Sequence, residues 1–148
     1  MAIAPGLRKF AMVLADIVRT SSAALVTTTL TSPIGANQTQ KLRFWVPFSV
    51  GATGGVRAQV VVPAAGVIFN CTITLVNNVA PSITTSVQAA SAAFTNALAN
   101  AGTHWLEIEL TVVNGATAGN VDLQMGQNTS DALSLTILRG GSVDVVLI

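Results

Sequence analysis

Charge is scarce in this chain: 9% of its 148 residues are Asp, Glu, Lys or Arg, against about a quarter in an average domain. None lies between Arg57 and Glu107. With a net charge of +1 and only Arg8/Lys9 and Lys41/Arg43 as basic pairs, the sequence lacks the clustered cationic face of a nucleic-acid binder. A single cysteine, Cys71, excludes an intrachain disulfide and every multi-cysteine zinc pattern. The uncharged stretch offers no run of about 20 apolar residues, the length a spanning helix needs. Asn70, Thr72, Thr74, Asn77, Asn78, Pro81 and Ser82 interrupt it, and no membrane segment is expected. Arg8 and Lys9 precede an apolar stretch as in an export signal, but Asp16 and Arg19 break that stretch, so cleaved export is not expected either.

What fills the sequence is apolar and small polar: 51% of residues are hydrophobic, and Thr, Ser, Asn, Gln and Gly make up most of the remainder. One domain of this length buries roughly 68–70% of the surface its unfolded chain exposes, enough for a proper core. Leu7, Phe10, Val13, Leu14 and Ile17 fall at helical spacing behind Pro5, which predicts a short amphipathic helix or arm. Such an arm packs on its own domain or docks on a neighbour. The expected division is an arm over residues 1–21 and a β-sandwich domain over residues 22–148.

A Thr-rich extended run over 22–31 leads to the turn-forming Ser32-Pro33-Ile34-Gly35. From Gln40 onward the period is two. Leu42, Phe44 and Val46 oppose Lys41, Arg43 and Trp45; Val67, Phe69, Cys71, Ile73 and Leu75 oppose Asn70, Thr72 and Thr74. Residues 79–102 fit a helical turn around 87–98 or a long surface loop. Alternation returns with Leu106, Ile108, Leu110 and Val112, then with Val121, Leu123 and Met125, with Leu133, Leu135 and Ile137, and with Val143, Val145 and Leu147. About eight short strands between Gly, Asn and Pro turns predict an all-β fold, an antiparallel jelly-roll-like β-sandwich.

Candidate chemistry is sparse. A catalytic triad needs a base next to a nucleophile, and the one histidine, His104, shares parity with Leu106 and Ile108, which turns it toward the core. Glu107 and Glu109 project from one strand face in the same direction, whereas paired catalytic carboxylates flank a bond. Asp122, Asp131 and Asp144 are too scattered for a calcium loop. Residues 51–55 lack the Lys-Ser/Thr ending of a phosphate loop. Cys71 lies on an apolar parity with no basic neighbour to stabilise a thiolate. Sequons at Asn37, Asn70 and Asn128 are expected by chance in so Thr- and Ser-rich a chain. Trp45 and Trp105 fall on polar parities, where an aromatic serves an interface or lies under a loop. No enzyme activity, metal or cofactor is expected.

The segment Gly119-Asn120-Val121-Asp122-Leu123-Gln124-Met125-Gly126-Gln127-Asn128, followed by Leu135-Thr136-Ile137-Leu138-Arg139-Gly140-Gly141-Ser142-Val143-Asp144-Val145, resembles the closing strands of small jelly-roll virion proteins of tailed bacteriophages, the capsid decoration or cement proteins. The strand at 42–49 fits the same pattern, and the likeness covers about the last hundred residues. It implies a homotrimer made in the host cytoplasm and bound to the major capsid protein on the capsid surface, with the arm gripping the shell. The residues expected at capsid or subunit contacts are Leu7, Phe10, Val13, Leu14 and Ile17, then Trp45 and Trp105. A receptor-binding or fibre-head domain, with or without glycan binding, is the alternative use of the same fold.

Overall fold

Side chains that alternate between apolar and polar give a strand one face for a core and one for water. The computed structural model describes residues 8–51, 53–80, 82–88, 94–96 and 101–148, and among them the chain forms strands throughout. These are β1 (Arg8–Met12), β2 (Ile17–Arg19), β3 (Val26–Ile34), β4 (Thr39–Val50), β5 (Val56–Val61), β6 (Val67–Asn77), β7 (Ser82–Gln88), β8 (Phe94–Asn96), β9 (Gly102–Val113), β10 (Gly119–Gly126), β11 (Leu135–Ile137) and β12 (Ser142–Leu147). They build an antiparallel two-sheet sandwich. The larger sheet runs β1-β12-β4-β9-β6-β7, with β11 also on β4 and β2 on β11; the smaller runs β3-β10-β5-β8.

The pairing is nested. β6 pairs with β7, β5 with β8, β4 with β9 and β3 with β10, so that one long hairpin with its tip between β6 and β7 is folded across both sheets. Inward residues close the core: Leu42, Phe44, Val46 and Phe48 of β4 and Leu106, Ile108 and Leu110 of β9, from the larger sheet, with Leu30 of β3 and Val121, Leu123 and Met125 of β10 from the smaller. All are almost fully buried, each side chain of that size contributing about 1.5–3 kcal/mol relative to exposure.

Residues 8–19 form no helix. Edge strands β1 and β2 take their place, β1 on β12 from Arg8↔Val146 to Met12↔Ser142 and β2 on β11 from Ile17↔Ile137 to Arg19↔Leu135. A helix this short is marginal in isolation, whereas the open edges of β11 and β12 offer backbone partners. Val13 locks the link between the two strands: its N–H donates to Gly141 O at 2.7 Å and its carbonyl accepts from Gly140 N at 2.9 Å.

Three local expectations also shift. β6 carries a β-bulge between Phe69 and Thr72, with Asn70 in the left-handed region at φ 52°, a conformation Asn tolerates better than most residues. The extra residue reverses parity, so Ile68 is buried while Val67 and Phe69, expected inside, face out, Phe69 at 50% exposure. Ser32-Pro33-Ile34 belongs to β3 and the turn comes later, at Gly35 to Gln38 with Asn37 at φ 53°; β3 is an edge strand, which a proline tolerates. Within 79–102, the described residues include the strands β7 and β8, so 82–88 and 94–96 are not loop and positions 87–88 and 94–96 of the expected helical turn are strand; residues 81, 89–93 and 97–100 lie outside the described residues.

Buried amides secure the loops. Gln127, 1% exposed, accepts at Oε1 from Ser22 N (3.0 Å) and Asp131 N (3.3 Å) and donates through Nε2 to the carbonyls of Asp131 and Leu133. It ties the β10–β11 loop to the segment leading into β3. Asp131 continues the network, accepting from the Thr53 hydroxyl and the Leu133 N–H; these bonds, the hydroxyl's first, hold its carboxyl below the usual range. At the sandwich's other turn, buried Asn114 donates from Nδ2 to Gly35 O and Thr117 O, both at 2.8 Å. Each amide answers backbone groups that no ladder reaches, Gln127 with both ends and Asn114 with its Nδ2.

Candidate functional site

The outer face of the larger sheet carries Arg43, Glu107, Glu109 and Asp144 together with both tryptophans. Register decides which of them meet: Trp45 of β4 lies opposite Glu107 of β9 and, on its other side, Ser142 of β12, while Arg43 lies opposite Glu109 and Asp144. The Arg43 Nε donates to Glu107 Oε1 and lies 3.6 Å from Glu109 Oε1. Its guanidinium carbon sits 5.8 Å from the centroid of the Trp45 ring, within cation–π range. Trp45 and Trp105 stack against each other with centroids 5.1 Å apart and planes tilted by 40°. Trp45 remains 37% exposed.

Along the seam between β4 and β12, the long side chains of Arg43 and Trp45 stand beside the short ones of Ser142 and Asp144. The difference leaves an open groove of about 370 Å³ lined by these four residues. Its floor is regular sheet backbone, so the side chains are held from rigid strands.

A second groove lies where the β1–β2 link meets β3. It measures about 310 Å³ and is lined by Met12, Leu14, Ala15, Asp16, Ile17 and Thr29. Leu14 is 86% exposed and Met12 and Val18 are also exposed, while Val13 is buried in the core. Of the residues expected at contacts, Leu14 and Ile17 therefore share this groove, Val13 is committed to packing, Leu7 lies outside the described residues, and so does the Phe10 side chain. Trp45 and Trp105 come together elsewhere, on the outer sheet face.

His104 is fully buried, its ring 5.6 Å from that of Phe48. Cys71 is buried too, and burial pushes its thiol pKa up, the opposite of what a nucleophile or metal ligand needs. Among the described residues no three His, Cys, Asp or Glu side chains gather as a metal would require, and no helix is long and apolar enough to cross a membrane. Sequence parity alone placed Trp45, Arg43, Glu107 and Glu109 on one kind of face. It did not place Ser142 and Asp144 beside them, because that rests on the pairing of strands far apart in the chain.

No known family profile matches this chain, and no curated protein does. Among solved structures it is similar to the infectious bursal disease virus Gx strain structure, at 14% identity and a TM-score of 0.23, over 99% of this chain and 38% of that one. It is likewise similar to the VP2 subviral particle of infectious bursal disease virus, at 11% identity and a TM-score of 0.24, over 99% of this chain and 43% of that one. The chain thus spans about two fifths of the length of the chains it matches. Likeness at this level says nothing about what this protein does; what stands on its own geometry is an all-β, antiparallel two-sheet sandwich.

Proposed function

We propose that this chain is a non-enzymatic structural subunit of a phage virion, a decoration protein that binds the major capsid protein on the head surface as a homotrimer. The strand orders support a jelly-roll reading: β3 to β10 distribute as β3-β10-β5-β8 and β4-β9-β6-β7, the arrangement of one long hairpin wrapped into two four-stranded layers. The ionisable groups support a structural role, since Arg43, Glu107 and Glu109 engage one another on an open face and His104 and Cys71 are core residues.

The observation that carries the docking part is the apolar groove at Met12, Leu14 and Ile17, with Leu14 almost fully exposed on an edge that is otherwise well anchored. An exposed leucine in a groove adds about 25 cal/mol per Å² of apolar surface when a partner covers it, and repetition over many copies multiplies a weak contact. The test is binding of the purified protein to phage heads lacking it, comparing the wild type with Leu14→Asp. Saturable binding that the substitution weakens at least tenfold supports the reading. Absence of binding by the wild type, or equal binding by Leu14→Asp in a protein of unchanged melting temperature, would count against it.

A further inference from the structure

We propose that the groove between β4 and β12 is a binding site for an uncharged saccharide, with Trp45 as its stacking platform. A pyranose ring presents a face of C–H groups and a rim of hydroxyls. Its recognition therefore calls for an exposed aromatic plane set among fixed hydrogen-bond donors and acceptors. The groove meets both demands: Trp45 is 37% exposed, and the lining adds a guanidinium from Arg43, a hydroxyl from Ser142 and a carboxylate from Asp144. Its volume of about 370 Å³ falls at the small end of ligand sites, which run about 300–1,000 Å³.

Two features hold the platform ready. Trp105 backs Trp45 at 5.1 Å, and Glu107 and Glu109 on β9 restrain Arg43, whose guanidinium lies against the same indole. A site whose side chains are already fixed loses less freedom when it binds.

Protein is the other occupant such an aromatic could serve, and the surroundings disfavour it. The centre of a protein interface is depleted of charged residues, yet Trp45 is flanked by Glu107 and Ser142 across its two seams and by Arg43 as well as Pro47 along β4, with Asp144 and Glu109 one step further. Covering them with a protein surface would strip water from several charges at once, whereas sugar hydroxyls replace water bond for bond. The lining also selects among sugars: its cation, Arg43, is already held by Glu107 and lies 3.6 Å from Glu109, so the carboxylate of an acidic sugar gains less from it than it would from an unengaged cation.

Among the described residues the groove shares no lining residue with the one at Leu14, and this site stands whether or not the chain decorates a capsid. The test is titration of the full chain with neutral di- and trisaccharides of glucose, galactose, mannose and their N-acetylated forms, read by tryptophan fluorescence and ligand-observed NMR. At least one is expected to bind with a Kd in the millimolar range or tighter, reachable with ligand up to about 10 mM. Trp45→Ala should then weaken it at least tenfold without lowering the melting temperature of this surface position by more than a few degrees, and Trp45→Phe should restore most of the affinity. No binding by any member, or equal binding by Trp45→Ala, would overturn the site. A sialylated ligand binding more tightly than its neutral parent would overturn the assignment of an uncharged one.

Discussion

Replacing Gln127 by glutamate keeps the size and shape of the side chain and reverses half of its chemistry. The acceptor half, which serves Ser22 N and Asp131 N, survives; the Nε2 donor to the carbonyls of Asp131 and Leu133 becomes a carboxylate oxygen facing two carbonyl oxygens at a site 1% exposed. An unsatisfied buried group costs about 1–3 kcal/mol and a charged one more, so the loss at pH 7 should be about 3–5 kcal/mol. An unfolding entropy of about 2.1 cal/mol/K per residue makes 1 kcal/mol worth about 3 °C in a chain of this length, so the melting temperature should fall by about 9–15 °C. The penalty belongs to the ionised form, and the folded-state pKa of the new carboxyl must therefore rise above its unfolded value of about 4.3. A raised pKa means that the folded protein holds its proton more tightly, so the substitution costs least below about pH 4 and most above the folded pKa. Asp131, bonded to Gln127 through its backbone, has a lowered pKa that withdraws stability as pH falls; a carboxylate at position 127 that disturbs this loop reduces that contribution at pH 7 but not in acid, which narrows the gap in the same direction. The measurement is thermal denaturation of both proteins from pH 4 to pH 8, with Gln127→Met as an uncharged control. A gap below about 3 °C at pH 7, or one that does not narrow in acid, would refute the claim that this amide bridges the loops.

Asn114→Asp removes two donated bonds at a buried position and should cost about 2–4 kcal/mol, seen as a lower urea midpoint at unchanged slope. Asn70→Val puts a β-branched residue at φ 52° and should cost about 1–2 kcal/mol, while Asn70→Gly should melt within a degree or two of the wild type; equal effects would mean that the bulge is not held by this conformation. Cys71 should resist thiol reagents in the native protein and react at once in denaturant. Its raised pKa keeps it neutral in the fold, so its contribution is intact below the unfolded thiol pKa of about 8.5 and is lost as pH climbs through the folded value, which unfolding curves between pH 7 and pH 10 would register.

The strands legible in the sequence were those whose alternation runs unbroken. In β4, β9, β10 and β12, parity alone separates Leu42, Ile108, Leu123 and Val145 from the residues that face water. It failed in β6 because the left-handed turn at Asn70 shifts the phase by one, and nothing in the local hydrophobic pattern marks that shift. It failed at residues 8–19 because Leu7, Phe10, Val13, Leu14 and Ile17 suit a helix as a peptide; the deciding factor, an open edge at β11 and β12, lies at the far end of the chain. The aromatic half of the outer face was visible as two tryptophans on polar parities. Its polar half was not, since Ser142 and Asp144 join it only through a register fixed by the whole sandwich.

Nested pairing also dictates an order of events during synthesis. β6 meets β7 almost as soon as both exist, but β1, the first described strand to be made, finds its partner only when β12 emerges. At about 5–20 residues per second, the interval is roughly 7–26 s. Through that time β1 keeps Arg8 and Lys9, but β3, which waits for β10, carries none of the charges that usually keep unpaired strand edges apart. Crowding on the ribosome, more than the stability of the finished sandwich, is then the condition under which this sequence is most exposed to misassembly.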